Sequence, residues 1–475
     1  MKVESIKKNY ILNTILQISL LVVPLITVPY VSRVLGVDKV GEYSFALAMV
    51  TYFTLFAVLG TGSFGQRQIA YHRDDKEKLS IDFWNIFLFR CITSFISIGL
   101  YFIYLVFTKN INSLCIILGL NIINVALDIT WLFQGVENFK HIVFRNLLFK
   151  IVNLVCIFLF VKRPSDLWIY ALITCGCLVA CNFSVWFSAK RYVTFVKKGI
   201  NPFANLKGIL LVFLPTIAIQ VYTILDKSMI GWITNSNYEN GCYDKAEQIA
   251  KIALVLTTSI ATVILPRISN LYSSGEIEKA KSFVYKAYRF VWMFAIPSTL
   301  GLIIIAPSFI PLFLGEGYDE AVPLLQILSL LVIFVSLAYV TGISYLVSTK
   351  QENVYTIAVS IAAICNLIIN LVLIPRFLAI GAAIGTISAE LIGCSIQIGY
   401  CIFKKQLDWK KIILPSWKYF VSGIAMFFVG LLISHLSENS AIGILKTVLV
   451  SVFVYFGLLF VMRDSLITNE IRKIV

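Results

Sequence analysis

Residues 323–348 read PLLQILSLLVIFVSLAYVTGISYLVS, an unbroken stretch without Asp, Glu, Lys, Arg or His. A hydrocarbon core about 30 Å thick needs about 20 apolar residues at a rise of about 1.5 Å each. In lipid every backbone N–H and C=O must be satisfied inside the segment, so such a stretch is a helix. Runs of the same kind recur from Tyr10 to Met462. Of the 475 residues, 59% are apolar and only 14% charged, against about 25% charged in soluble proteins. The mean hydropathy of +0.86 leaves too little polar surface for a protein in water. The expected fold class is all-α: a polytopic membrane protein of about fourteen transmembrane helices.

Spans are expected at about 10–32, 41–62, 85–107, 113–134, 146–161, 167–189, 209–234, 249–272, 288–314, 323–348, 355–374, 380–403, 419–435 and 441–462. The first run follows Lys2, Lys7 and Lys8. It is too long for a signal peptide and shows no small-residue cleavage pattern before Arg33, so it is expected to remain as a helix. With the N-terminus inside, the inner links hold roughly three and a half times as many Lys and Arg as the outer ones. Both termini are therefore expected in the cytoplasm.

The formal charge of +15 does not indicate nucleic-acid binding, because the basic residues sit in short inner links where the membrane rule puts them. The ten cysteines form no disulfide framework. Nine lie inside apolar runs as small apolar residues, and Cys242 is assigned to a link. His72, His141 and His435 are scattered, so no metal site is expected. No nucleophile constellation or phosphate-binding glycine loop occurs, and no link exceeds about 25 residues, as an extramembrane catalytic domain would require. An enzyme is not expected.

The link before the second span reads Gly41-Glu42-Tyr43-Ser44-Phe45-Ala46, and the link before the eighth reads Gly241-Cys242-Tyr243-Asp244-Lys245-Ala246. The pattern G-x-Y-x-x-A thus returns 200 positions later, each time after a span containing proline. This placement indicates two six-helix lobes related by a parallel repeat. The organisation expected is residues 1–207 as a first lobe, 208–403 as a second, and 404–475 as two additional C-terminal helices with a cytoplasmic tail. Alternating access uses such pseudosymmetry directly.

The stretches VPYVSRVLGVDKVGEYSFALA (28–48), WLFQGVENFK (131–140), GCYDKAEQI (241–249), LPRISNL (265–271) and GAAIGTISAE (381–390) carry a resemblance to a known family. They resemble the polysaccharide-export flippases, the O-antigen and capsule repeat-unit translocases of the multidrug/oligosaccharidyl-lipid/polysaccharide exporter superfamily. The resemblance covers roughly residues 1 to 403. It implies a V-shaped pair of lobes around a central cavity in a bacterial cytoplasmic membrane. It also implies transfer of an undecaprenyl-diphosphate-linked oligosaccharide from the inner to the outer leaflet. The partners implied are that glycan lipid, the bilayer and other polysaccharide-assembly proteins. No cofactor is expected beyond a coupling ion, H+ or Na+. Two other readings stand beside it: an ion-coupled exporter of drugs or small amphiphiles on the same fold, and a membrane-embedded polysaccharide polymerase.

Ionisable groups inside the bilayer are costly and mark cavities or relays. Arg90 and Asp128 fall at similar depths in the inner half of spans three and four, Lys150 lies shallower in the fifth, and the three could form one layer. Asp226 and Lys227 lie toward the outer end of the seventh span, and Glu390 near the middle of the twelfth. One reading makes Arg90, Lys150 and Lys227 the cations that hold the diphosphate, with Asp128, Asp226 and Glu390 as cavity or ion-coupling carboxylates. The other makes Arg90–Asp128 a structural ion pair and lets Lys150 snorkel to the headgroups. Pro24, Pro29 and Pro215 are expected to kink their helices and serve as bending points in gating. Asn121, Asn124, Asn366 and Asn370 are expected as interhelical hydrogen-bond donors and acceptors, and Trp131 as an interfacial anchor.

Overall fold

Among the described residues of the computed structural model, eleven helices are long and apolar enough to cross a membrane. The structure describes residues 22–196, 199–437, 440–464 and 466. The beginning of the first span and both termini lie outside them. No strand occurs among the described residues. One of the eleven helices, Glu352–Phe403, is two spans in succession, because Leu378 breaks it with φ 52° and ψ −132°. The shorter apolar helix Val22–Leu35 carries the described part of the first span, and Leu206–Thr234 is the seventh. Each of the fourteen expected spans therefore has its helix.

Several helices start well before the hydropathy suggested. The third runs from Lys76 to Phe107, the eighth from Asn237 to Ser273 and the ninth from Ile277 to Leu314. Apolar runs mark what the lipid covers, whereas helix ends are set by caps. The Asp75 side chain accepts the Lys78 amide at 3.1 Å, and the Ser236 hydroxyl accepts the Glu239 amide at 3.3 Å. Both copies of G-x-Y-x-x-A consequently lie inside helices rather than in links. Gly41 and Gly241 each stand four residues after the start of Val37–Val58 and Asn237–Ser273. Cys242, assigned to a link, is a fully buried helical residue.

The contacts divide the chain into Met1–Ser228 and Met229–Val475, a division that falls inside the helix Leu206–Thr234. The two repeat tyrosines meet the sixth and the twelfth spans respectively. The Tyr43 ring lies 4.9 Å from that of Tyr170, and the Tyr243 hydroxyl lies 3.1 Å from Thr386 Oγ1.

The first unit has two apolar clusters. One gathers Val31, Leu35, Tyr101, Leu118, Val161 and Leu167, and the other Phe64, Phe83, Phe89, Trp131, Phe133 and Val185. Trp131 is thus a core residue, 1% exposed, stacked on Phe83 at 5.4 Å, and not an interfacial anchor. The helix it follows is broken just before it, which turns the indole inward. In the third to sixth spans polar residues, among them Arg90, Asp128, Arg145 and Asn182, lie between the two clusters.

The second unit is built around Tyr288, Val291, Trp292, Tyr345, Tyr419 and Tyr455. Its last two spans, Ser416–Leu436 and Ala441–Val461, are fastened to the ninth. Tyr455 OH donates to the Met293 carbonyl at 2.9 Å, and Arg289 Nη2 meets the buried Asp464 carboxylate at 3.0 Å. The GAAIGTISAE stretch also has a steric reason. A Cβ on Gly381 would stand 2.5 Å from the Leu373 carbonyl, and one on Gly385 would run into Asn370 Oδ1. Small residues let the eleventh and twelfth spans approach this closely.

Candidate substrate site

The polar layer of the first unit is organised by a break in the fourth span. The helix Leu120–Leu127 ends at Asp128, whose backbone is extended (φ −75°, ψ 105°), and a new helix runs from Thr130 to Gly135. Aspartate favours this because its short carboxylate can cap the next helix. Asp128 Oδ1 accepts the Thr130 amide at 2.9 Å and the Thr130 hydroxyl at 2.6 Å. A break at membrane depth releases carbonyls that need new donors. Trp186 Nε1 donates to the Leu127 carbonyl at 3.0 Å, and Arg90 Nη1 donates to the Asp128 carbonyl at 2.5 Å.

Arg90 therefore meets Asp128 twice, at the carbonyl and through Nη2 at 3.7 Å from Oδ2, with its side chain 4% exposed and that of Asp128 28% exposed. Its Nε is buried without a partner among the described residues. The two residues expected at one depth are in contact. Beside them stands Arg145, which lies one residue before the fifth span expected at 146–161. It is helical, half-buried, and within electrostatic reach of Asp128. Its Nη2 donates to Asn146 Oδ1 at 2.9 Å, while Nη1 has no partner among the described residues. Asn182 Nδ2 donates to Asn124 Oδ1 at 2.9 Å, one of the interhelical amide bonds anticipated. Asn370 and Asn366, by contrast, bond within one helix, at 3.1 Å. Lys150 is half-buried about one and a half turns further along the Arg145 helix.

The remaining candidates lie on other spans. Asp226 is buried and Lys227 half-buried on Leu206–Thr234, and Glu390 is half-buried in the twelfth span. Pro24 and Pro29 lie within Val22–Leu35, and Pro215 within Leu206–Thr234.

Two further sets of charged residues were missed from the sequence. Because the eighth helix starts at Asn237, Asp244, Lys245 and Glu247 are buried helical residues. Lys245 meets Asp244 at 3.2 Å and Lys251 meets Glu247 at 2.6 Å. The second set is a pair of arginines. Arg67 lies over the Phe64 ring, 5.5 Å from its centroid, and Arg267 over the Phe283 ring at 4.3 Å. Both are exposed, and neither has a carboxylate partner among the described residues. They are 200 positions apart, the same offset as the glycine–tyrosine motif. Extending that register one span further would have found them.

Residues 6–272 match a family described as polysaccharide biosynthesis protein. The chain is 24% identical over 401 residues to a "Putative O-antigen transporter" of Escherichia coli (strain K12), covering 83% of this chain and 96% of that protein. It is 26% identical over 166 residues to the "Probable low-salt glycan biosynthesis flippase Agl15" of Haloferax volcanii, covering 35% of this chain and 34% of the other. Among solved structures it is similar to the lipid II flippase MurJ in an inward closed conformation, with TM-score 0.75 and 18% identity, over 96% of this chain and 100% of that one. An inward-facing multidrug resistance MATE family transporter of the MOP superfamily aligns with TM-score 0.65 and 14% identity, over 80% of this chain and 94% of that one. At these identities the structural likeness establishes the fold.

Proposed function

We propose, from the premise that this chain belongs to the polysaccharide biosynthesis protein family, that it is a flippase for lipid-linked oligosaccharide repeat units. Its relatives are named transporters and flippases and its fold is shared with transporters, so it is a transporter and not an enzyme. In this reading it carries an undecaprenyl-diphosphate-linked glycan from the inner to the outer leaflet of a bacterial cytoplasmic membrane, with both termini inside.

The observation that carries the substrate class is the pair Arg67 and Arg267. A diphosphate leaving water needs cations whose charge is not already matched. One such arginine stands at the same repeat position of each unit, resting on a ring rather than on a carboxylate. An exporter of cationic drugs on this fold would instead need unmatched carboxylates. The buried Asp244 and Glu247 are each already paired with a lysine. Lys150 and Lys227 are secondary candidates for the diphosphate. Asp128, Asp226 and Glu390 are candidates for coupling to H+ or Na+, and Pro24, Pro29 and Pro215 for bending during gating. Arg90 is assigned first to holding the break in the fourth span.

In a strain lacking a related transporter, deletion of the gene is expected to abolish surface glycan while lipid-linked repeat units accumulate on the inner leaflet. Normal surface glycan in the deletion strain would refute the assignment.

The polyisoprenyl tail of such a substrate needs an apolar environment. In the second unit a cavity of about 300 Å³ is lined by Phe294, Pro297, Gly301, Met426, Thr447 and Val452, among others. A Cβ on Gly301 would meet nothing within 4 Å, and Gly301 lines the cavity, so a longer side chain there would take up part of it. Gly301→Leu is expected to keep or raise thermal stability, since glycine inside a helix costs about 0.5–1 kcal/mol, and to lower glycan export severalfold. Unchanged export at equal protein level would mean that the cavity does not serve the substrate.

A further inference from the structure

We propose that the segment from Phe403 to Lys418, joining the twelfth and thirteenth spans, is a preformed binding surface for the headgroups of anionic phospholipids. This goes beyond the transported substrate and does not depend on its identity. The segment carries five lysines, of which Lys404, Lys405, Lys410 and Lys411 are exposed. Its one acid, Asp408, directs a carboxylate oxygen to the Lys410 amide at 2.9 Å as the cap of the short helix Trp409–Ile413. None of the four lysines has a carboxylate partner among the described residues. Two rest on aromatic rings instead: Lys410 Nζ lies 6.0 Å from the Trp409 ring centroid and Lys411 Nζ 5.4 Å from that of Tyr285. Glu278 is near Lys411, but its carboxylate is engaged by Lys281 at 2.9 Å.

The backbone beneath these lysines is fixed. Leu407 and Ile412 are buried. The Asp408 amide donates to Tyr285 OH at 2.8 Å, and Trp292 Nε1 donates to the Ile412 carbonyl at 3.1 Å. Gln406 Nε2 donates to Gln351 Oε1 at 3.0 Å. A loop built only to connect two spans needs no such fastening. Around the lysines, Phe403, Trp409, Ile413, Leu414 and Trp417 are all exposed. Tryptophan and aliphatic side chains beside unmatched lysines, at the point where two spans leave the bilayer, fit the boundary between headgroups and acyl chains.

The occupant is a membrane lipid rather than a soluble anion because the segment is continuous with two spans and its apolar residues require acyl chains. Lysines near an anionic surface each favour binding about fivefold. Native mass spectrometry of the full chain, titrated with phosphatidylglycerol or with phosphatidylethanolamine, tests this. The wild-type protein is expected to bind phosphatidylglycerol at least tenfold more tightly. Lys410→Gln/Lys411→Gln should weaken that binding at least tenfold, and Lys410→Arg/Lys411→Arg should retain it. A variant with the same charge removed elsewhere, Lys109→Gln/Lys162→Gln, should bind as wild type. Thermal stability of each variant in a zwitterionic detergent identifies any that has lost its fold. The proposal is overturned by equal affinity of the wild-type protein for the two lipids. It is equally overturned if the folded glutamine variant binds as wild type, or if the Lys109/Lys162 control loses as much.

Discussion

Asp128→Leu is expected to be the most destabilising single substitution in the first unit, costing about 3–5 kcal/mol through the stranded charge of Arg90. The Arg90 side chain is only 4% exposed and its nearest carboxylate is that of Asp128. Removing the carboxylate leaves a guanidinium that water cannot reach. It also removes the acceptor of the Thr130 amide and hydroxyl, a cap of about 1 kcal/mol. Asp128→Asn keeps that cap and loses only the charge, so it should fall between leucine and wild type. The double variant Arg90→Met/Asp128→Leu removes the stranded charge and should recover part of the loss. It should not be neutral, because Arg90 also supplies the donor for the carbonyl at position 128, and a buried unmet acceptor costs about 1–3 kcal/mol. The order expected from thermal unfolding of the solubilised protein is Asp128→Leu lowest, then the double variant, then wild type. Equal stability of Asp128→Leu and the double variant would show that the guanidinium is not held by this carboxylate. A double variant as stable as wild type but inactive in glycan export would return Arg90 to the substrate.

The layer itself could be read from spacing. Arg90 and Asp128 were placed at one depth by counting residues from the inner ends of two spans, and they are in contact, with hydrophobic clusters on either side. Counting along a continuous helix could not show that the fourth span breaks at Asp128. Hydropathy is blind to a backbone turn when the flanking residues stay apolar, as Leu127 and Ile129 do. The break is what brings Arg90 onto a carbonyl as well as a carboxylate. It also carries Trp131 from the membrane boundary, where an indole is usually found, into the core beside Phe83.

The positions of the charged residues in the second unit were misjudged for a related reason. Lys245 and Lys251 stand where polar residues interrupt the apolar run, which hydropathy reads as a link. Ion pairing between Glu247 and Lys251, four residues apart, lets a helix continue through polar residues. The repeat was legible in Gly41 and Gly241, but six residues are a short sample of it. Followed further, the same register passes through Arg67 and Arg267, which hydropathy alone treats as ordinary inner-link charges.

Those two arginines carry the largest functional prediction. Arg67→Gln/Arg267→Gln is expected to abolish glycan export, and each single change to lower it about tenfold to a hundredfold. That range corresponds to losing one hydrogen bond to a charged group, about 1.5–3 kcal/mol. Stability should hardly change, since both side chains are exposed and each forfeits only a ring contact of about 0.5–1 kcal/mol. This separates them from Arg90, whose replacement acts through the fold. Lysine at either position should restore part of the activity, because it keeps the charge but lacks the planar fork that meets two phosphate oxygens at once. If the arginines act on successive stages of one passage, the singles should combine to more than either alone. Surface glycan measured against membrane-inserted protein, for both glutamine singles, the double and both lysine variants, decides the matter. Full export by the double glutamine variant would mean that unmatched arginines at this repeat position do not meet the diphosphate. The burden would then fall on Lys150 and Lys227, the cations placed deeper in the bilayer.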